Sequence, residues 1–188
     1  GFEEKVVNTV CQHSNGDLWV GFENSGVVRI SAGNTILYNK NNALPDNEIR
    51  HIYEDSKGHI WIGTWGNGVV KYDGNAFKHY GEEQGFPARR VNVTFESSLG
   101  EMWFGSEDGG LILQTQDGFQ AFKENADFTF NNYISSITEA ANGSLWIGSS
   151  EGGIFRFDGE LFYPVTKNEG LTTNTIYSLI FDDEGRLW

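Results

Sequence analysis

Five tryptophans, Trp19, Trp61, Trp103, Trp146 and Trp188, stand at residue-number intervals of 42, 42, 43 and 42. A fixed period of this length marks a chain built from stacked copies of one supersecondary unit, and it limits the fold more than any local propensity does. The neighbouring residues repeat with it: Gly16-Asp17-Leu18-Trp19-Val20-Gly21, Gly58-His59-Ile60-Trp61-Ile62-Gly63, Gly100-Glu101-Met102-Trp103-Phe104-Gly105, Gly143-Ser144-Leu145-Trp146-Ile147-Gly148, and Gly185-Arg186-Leu187-Trp188.

Each copy divides into four short apolar segments separated by turn signals. In the second copy, Glu48 to Glu54 leads through Asp55-Ser56-Lys57-Gly58 into a strand over His59 to Thr64. Gly66-Asn67-Gly68 then turns the chain into Val69 to Tyr72, and Asp73-Gly74 supplies a tight turn before a fourth strand at Phe77 to Tyr80. The 24 glycines against 3 prolines suit many strands joined by tight turns, and no window carries helical periodicity. Strands apolar on both sides of the tryptophan need cover on both faces, so the sheets must stack on one another. Twisted four-stranded sheets stack radially.

The expected fold is therefore all-β, a β-propeller fragment of four four-stranded blades plus the first half of a fifth. The blades run over about 5–46, 47–88, 89–131 and 132–173, with the partial one at 174–188. A right-handed β-helix, the main rival, would need a coil about every twenty residues and few hairpin turns.

Net charge narrows the partners. The chain carries −13 from 26 acidic and 13 basic residues, with no basic stripe to meet phosphates, which argues against nucleic acid and against membrane contact. No apolar run is long enough to span a bilayer. Gly1-Phe2-Glu3-Glu4 lacks the features of a secretory signal, so an exported chain would carry its signal upstream or have lost it. The single Cys11 has no internal disulfide partner and is expected as a buried, inert thiol.

One stretch of the second copy, Asn47-Glu48-Ile49, Glu54-Asp55, Gly58 to Thr64 and Gly68-Val69, resembles the two-component regulator propeller repeat. The resemblance extends over essentially the whole chain. It implies part of a seven-bladed propeller of roughly 300 residues, of the kind found in the periplasmic sensor regions of bacterial hybrid histidine kinases, especially in Bacteroidetes. Such propellers lie outside the inner membrane and sense carbohydrate fragments. By this resemblance the chain is a noncatalytic sensor segment, periplasmic or extracellular, that binds an oligosaccharide or contacts a neighbouring domain, with no cofactor. Two other readings stay open: a polysaccharide-active propeller enzyme, lyase or glycoside hydrolase, and a purely protein-binding propeller.

Repeated positions serve the scaffold. The tryptophan column is expected to pack between blades, and the recurring glycines to make turns and close contacts. The acids before each first hairpin, Glu54-Asp55, Glu96, Glu139 and Asp182-Asp183, are expected to cap turns or face solvent. His13, His51, His59 and His79 fall at unrelated places in the repeat, without metal-ligand spacing.

Function is sought where the repeat is broken. Trp65 lies in the turn after the second strand, where other copies have Glu23, Glu107 and Ser150, and is either a stacking surface for a sugar ring or a packing residue. The repeat asparagine of Asn47, Asn132 and Asn174 is replaced by Arg89 in the third copy and Lys5 in the first. Arg89 and Arg90 together would hold a carboxylate or sulfate, or else form salt bridges within an acidic protein. The loops between copies vary most and bring Phe128, Phe130 and Tyr133 beside them. The candidate ligand-binding set is Trp65, Arg89, Arg90, Tyr133, Asn47, Asn132 and Asn174. The half blade leaves an unpaired edge, which predicts self-association through the open propeller ends or closure into a smaller ring.

Overall fold

A computed structural model describes residues 4–122 and 133–188. Asn132, Phe128 and Phe130 lie outside the described residues. The first sheet is an antiparallel meander of β1 (Val7–Gln12), β2 (Leu18–Phe22), β3 (Val27–Ser31) and β4 (Asn34–Tyr38). The second holds β5 (Ile49–Glu54), β6 (Ile60–Thr64), β7 (Val69–Tyr72) and β8 (Phe77–Tyr80), each within one residue of the expected strand. The third comprises β9 (Val91–Glu96), β10 (Met102–Ser106), β11 (Leu111–Thr115) and β12 (Gly118–Phe122). The fourth comprises β13 (Ile134–Glu139), β14 (Leu145–Ser149), β15 (Gly153–Phe157) and β16 (Phe162–Val165). After it, Ile180 and Trp188 exchange both backbone hydrogen bonds and Phe181 bridges Leu187, the start of a further hairpin.

These elements fall into two compact units, Gly1–Thr94 and Phe95–Trp188. In the first unit the two complete sheets approach each other through β1 and β2 against β5. Trp19 is fully buried, with its ring 5.8 Å from Tyr38 of its own sheet and 5.3 Å from Tyr72 of the next. Val27, Ile49, Ile60, Ile62 and Val70 complete this core, against which half-buried Cys11 packs. Burial and then the nearby Glu54 carboxylate push the Cys11 thiol up, which keeps it protonated and unreactive at neutral pH.

Neighbouring sheets are also stitched by a polar bond that recurs with the period. Ten residues before the tryptophan, the side chain accepts a backbone N–H from the next first strand: Thr9 Oγ1 from Ile52 (3.3 Å), His51 Nδ1 from Thr94 (3.1 Å) and Ser136 Oγ from Leu179 (3.0 Å). First strands of different sheets do not share a ladder, so these N–H groups would otherwise go unpaired. A second stitch joins Ser14 to Glu54 (2.8 Å from N and 2.5 Å from Oγ) and Ser98 to Glu139 (2.7 Å from each).

The acids before the hairpins hold turns and tryptophans together. Asp55 Oδ1 accepts the N–H groups of Lys57 (3.0 Å) and His59 (2.8 Å), while Oδ2 accepts Trp61 Nε1–H (2.9 Å) and His59 Nδ1–H (2.8 Å). Asp182 does the same with Glu184, Arg186 and Trp188 Nε1. Their place is architectural, as their recurrence at the blade period implies.

The glycines two residues after Trp19, Trp61 and Trp146 are close approaches. A Cβ on Gly63 would sit 2.7 Å from the Val91 carbonyl oxygen, and one on Gly21 would sit 2.7 Å from Ile49 Cγ2. Backbone cannot swing aside as a side-chain tip can. Gly63→Ala is therefore expected to destabilise the fold by about 1–3 kcal/mol, the usual range for overpacking, read as a lower urea midpoint at unchanged slope; an unaltered midpoint would mean the contact relaxes freely.

Candidate functional site

In the first unit, the turn between β6 and β7 carries the largest departure from the repeat. Its frame is local: Thr64 Oγ1 donates to the Gly68 carbonyl (2.8 Å) and accepts the Asn67 N–H (3.1 Å). Gly68 takes φ 71° and lies against the Tyr80 carbonyl, where any Cβ would collide. The Trp65 N–H donates to the Glu48 carbonyl (3.1 Å), tying the turn to the segment before β5. The indole is half-buried.

Two guanidinium groups meet that indole. The Arg50 guanidinium carbon is 3.9 Å from the ring centroid and that of Arg90 is 5.1 Å. Arg50 also pairs with Glu48 Oε1 at 2.6 Å, and its Nε is buried with no hydrogen-bond partner among the described residues. The electron-rich indole face offsets part of the repulsion between the two cations. A positive, aromatic cluster thus stands on a chain of net charge −13. Guanidinium forks of this kind match the paired oxygens of a carboxylate or of one edge of a sulfate.

The sequence-derived residues sort unevenly around this cluster. Trp65 and Arg90 come together, but Trp65 is not an open platform, because Arg50 lies over its ring. Arg89 is exposed and turns to Glu82 (2.7 Å), within its own loop, so its side chain forms the intraprotein salt bridge that was one of its two readings. Asn47 Oδ1 accepts the Lys40 N–H (2.9 Å) and Asn174 Oδ1 accepts the Lys167 N–H (2.9 Å). Their carbonyls accept the N–H groups of Gly26 and Gly153, as the Arg89 carbonyl accepts that of Gly68. At Asn47, Arg89 and Asn174 this repeat position ties the loop back to the preceding sheet. Tyr133, in the second unit, is half-buried, and its carbonyl accepts the Ser150 N–H (3.0 Å).

Arg50 was absent from the expected set. It occupies the position eleven residues before the tryptophan, where Asn8 and Ser135 donate instead to carbonyls of the next first strand (3.0 and 2.5 Å). The signal was an arginine in a column of small polar side chains.

The histidines are all engaged structurally. His13 Nε2–H donates to the Gly58 carbonyl (3.0 Å), His59 bonds Asp55, and His79 Nε2–H donates to the Asn67 carbonyl (2.6 Å).

Comparison with known proteins places these features. Residues 43–66 and 130–151 match the family model described as two component regulator propeller. No curated protein matches the chain. Among solved structures, the extracellular domain of the putative hybrid two component system BT3049 from B. thetaiotaomicron is similar at 26% identity and TM-score 0.82, over 97% of this chain and 26% of that one. The extracellular domain of the putative one component system BT4673 from the same organism matches at 21% identity and TM-score 0.78, with the same coverage of 97% and 26%. Virginiamycin B lyase from Staphylococcus aureus matches at 17% identity and TM-score 0.77, over 97% of this chain and 62% of that one, a likeness of fold alone. The chain spans about a quarter of the length of these two extracellular domains. Its four meander sheets are blades of a β-propeller, and two stretches of the chain, residues 43–66 and 130–151, match the two-component regulator propeller repeat.

Proposed function

We propose that the chain is a noncatalytic, ligand-sensing stretch of a periplasmic or extracellular propeller in a two-component regulator, and that Trp65 with Arg50 and Arg90 recognises an acidic group on an oligosaccharide. The observation that carries this reading is the pair of guanidiniums against one half-buried indole in a chain otherwise strongly acidic. Similarity to extracellular domains of two-component systems supports the sensory setting. A uronate or sulfate ester would pair its charge with the Arg50 and Arg90 donors held against the indole, whereas a neutral sugar has no charge to pair with them. Salt bridging to Glu48 holds Arg50 in place.

Titration calorimetry against uronate-containing, sulfated and neutral oligosaccharides of matched length tests this. An acidic glycan is expected to bind, the neutral one to bind at least tenfold more weakly, and Arg90→Ala to lose about tenfold, or ~1.4 kcal/mol. Equal affinity for neutral and acidic glycans, or an unaffected Arg90→Ala variant, would remove the anion reading. Turnover of any glycan would replace the sensor with an enzyme.

A further inference from the structure

The second unit contains a cavity of about 820 Å³ between the sheets of β10–β12 and β13–β16. Its apolar lining includes Trp103, Phe122, Phe157, Leu113 and the exposed Leu99. Around these stand Glu101, Glu139, Asp158 and Glu160, and no Lys, Arg or His lines it among the described residues.

The first unit contains the same aromatic arrangement with a cation built in. There Trp19 lies 5.8 Å from Tyr38 and 5.3 Å from Tyr72, and Tyr72 lies 4.6 Å from Phe77. At the corresponding repeat positions Trp103 lies 5.9 Å from Phe122 and 5.6 Å from Phe157, and Phe157 lies 4.5 Å from Phe162. Arg29, the cross-strand neighbour of Trp19, sits over both Trp19 (5.5 Å) and Tyr72 (5.8 Å). It donates through Nε to Asp17 Oδ2 (2.7 Å) and through one terminal nitrogen to the Tyr72 hydroxyl (3.2 Å). Lys71 and Arg156 hold the equivalent place opposite Trp61 and Trp146.

Opposite Trp103 stands Leu113. The residue at the Asp17 position is Glu101, and Phe157 replaces Tyr72, so the Asp–Arg–Tyr bridge becomes Glu–Leu–Phe. Glu101 keeps the carboxyl group but has no ion-pair partner among the described residues; its side chain receives only long contacts of 3.4 Å from Ser97 Oγ and Trp103 Nε1. The aromatic walls are thus retained, the carboxylate is retained, and the cation that joins them elsewhere in the chain is replaced by a shorter apolar side chain.

We propose that this cavity receives an alkylguanidinium ligand, its cation lying over Trp103 and paired to Glu101 as Arg29 lies over Trp19 and pairs to Asp17. A planar guanidinium can stack on an indole and fork to a carboxylate at once, which an ammonium cannot. The additional carboxylates of Glu139, Asp158 and Glu160 reinforce selection for a cation and disfavour an anionic sugar. This site is separate from the Trp65 cluster and does not depend on its reading.

NMR titration of the 188-residue chain with N-acetyl-arginine amide tests it, alongside its citrulline and lysine counterparts and a short Gly-Arg-Gly peptide. Saturable shifts at Trp103 with a dissociation constant on the order of 1 mM are expected, with the neutral citrulline compound at least tenfold weaker and the lysine compound weaker than arginine. Tighter binding of the peptide would identify the source as arginine in a protein chain, and equal binding a small free molecule; both uphold the site. Leu113→Arg supplies the cation internally and is expected to abolish binding while the chain stays folded. Glu101→Gln should weaken binding about tenfold and decides the matter should the arginine variant not fold. No saturable shift, equal binding of citrulline, or an unchanged Glu101→Gln affinity would each overturn the proposal. Arg90→Ala leaves this binding unaltered, which separates the two sites.

Discussion

Replacing Asp55 with alanine should lower the unfolding free energy by about 3 kcal/mol, a loss measurable as a drop in denaturant midpoint. Asp55 is 6% exposed and accepts four hydrogen bonds, two from backbone N–H groups and two from side chains. The turn donors of Lys57 and His59 can find water once the carboxylate is gone. The Trp61 indole N–H cannot, because Trp61 is 1% exposed. Its stranded donor accounts for most of the expected cost, and the lost turn cap for the rest. Asparagine keeps one acceptor oxygen and the shape but turns its NH2 donor toward two of these N–H groups, so Asp55→Asn should recover only part of the loss. Burial pushes the Asp55 carboxyl up, but the bonds from Trp61 and His59 hold it below the usual carboxylate range. Its stabilisation is therefore complete above the unfolded carboxylate pKa of about 3.9 and is lost as pH falls through the lower folded value. An alanine variant within about 0.5 kcal/mol of the parent would show that the tryptophan column needs no acceptor.

The first blade shows why this role was only half legible in the sequence. Trp19 is buried like Trp61, yet its indole nitrogen has no partner among the described residues, because His13 stands where Asp55 and Asp182 stand in other copies. The period announces a turn acid. Only the fold shows that its second oxygen reaches the tryptophan six residues on. The same limit separates what was read from what was missed at the candidate sites. Trp65 and Arg90 stood out as breaks in a column of the repeat, and they do meet. Arg50 broke its column too, but its meaning needed the pairing that brings the start of β5 under the β6–β7 turn. Leu113 was harder still: the lost cation matters only once Trp103 is known to face it across the ladder and Phe157 from the next sheet. Blade number and strand order follow from spacing and turns, whereas a side chain's partners across sheets follow from packing that spacing does not encode.

Stability should also fall as pH drops from about 6.5 towards 4, ahead of the carboxylate range, and His51 is the cause. Burial pushes its imidazole down to about 4, and its Nδ1 must stay unprotonated to accept the Thr94 N–H that joins two first strands. Below the unfolded value of about 6.5 the unfolded chain takes up a proton that the folded chain refuses, so unfolding is favoured increasingly with acid. The loss grows until the folded imidazole itself titrates near 4, where this contribution levels off. A displacement of this size corresponds to as much as about 3 kcal/mol at the lower end of the window. The chain supplies its own control. In the first blade Thr9 Oγ1 performs the same acceptance toward Ile52 without a titrating group. His51→Thr should keep the stitch and remove the slope between pH 6.5 and 4, leaving only the carboxylate limb below it. Urea midpoints measured across that range for parent and variant give the answer directly, and parallel curves for the two would take His51 out of the account.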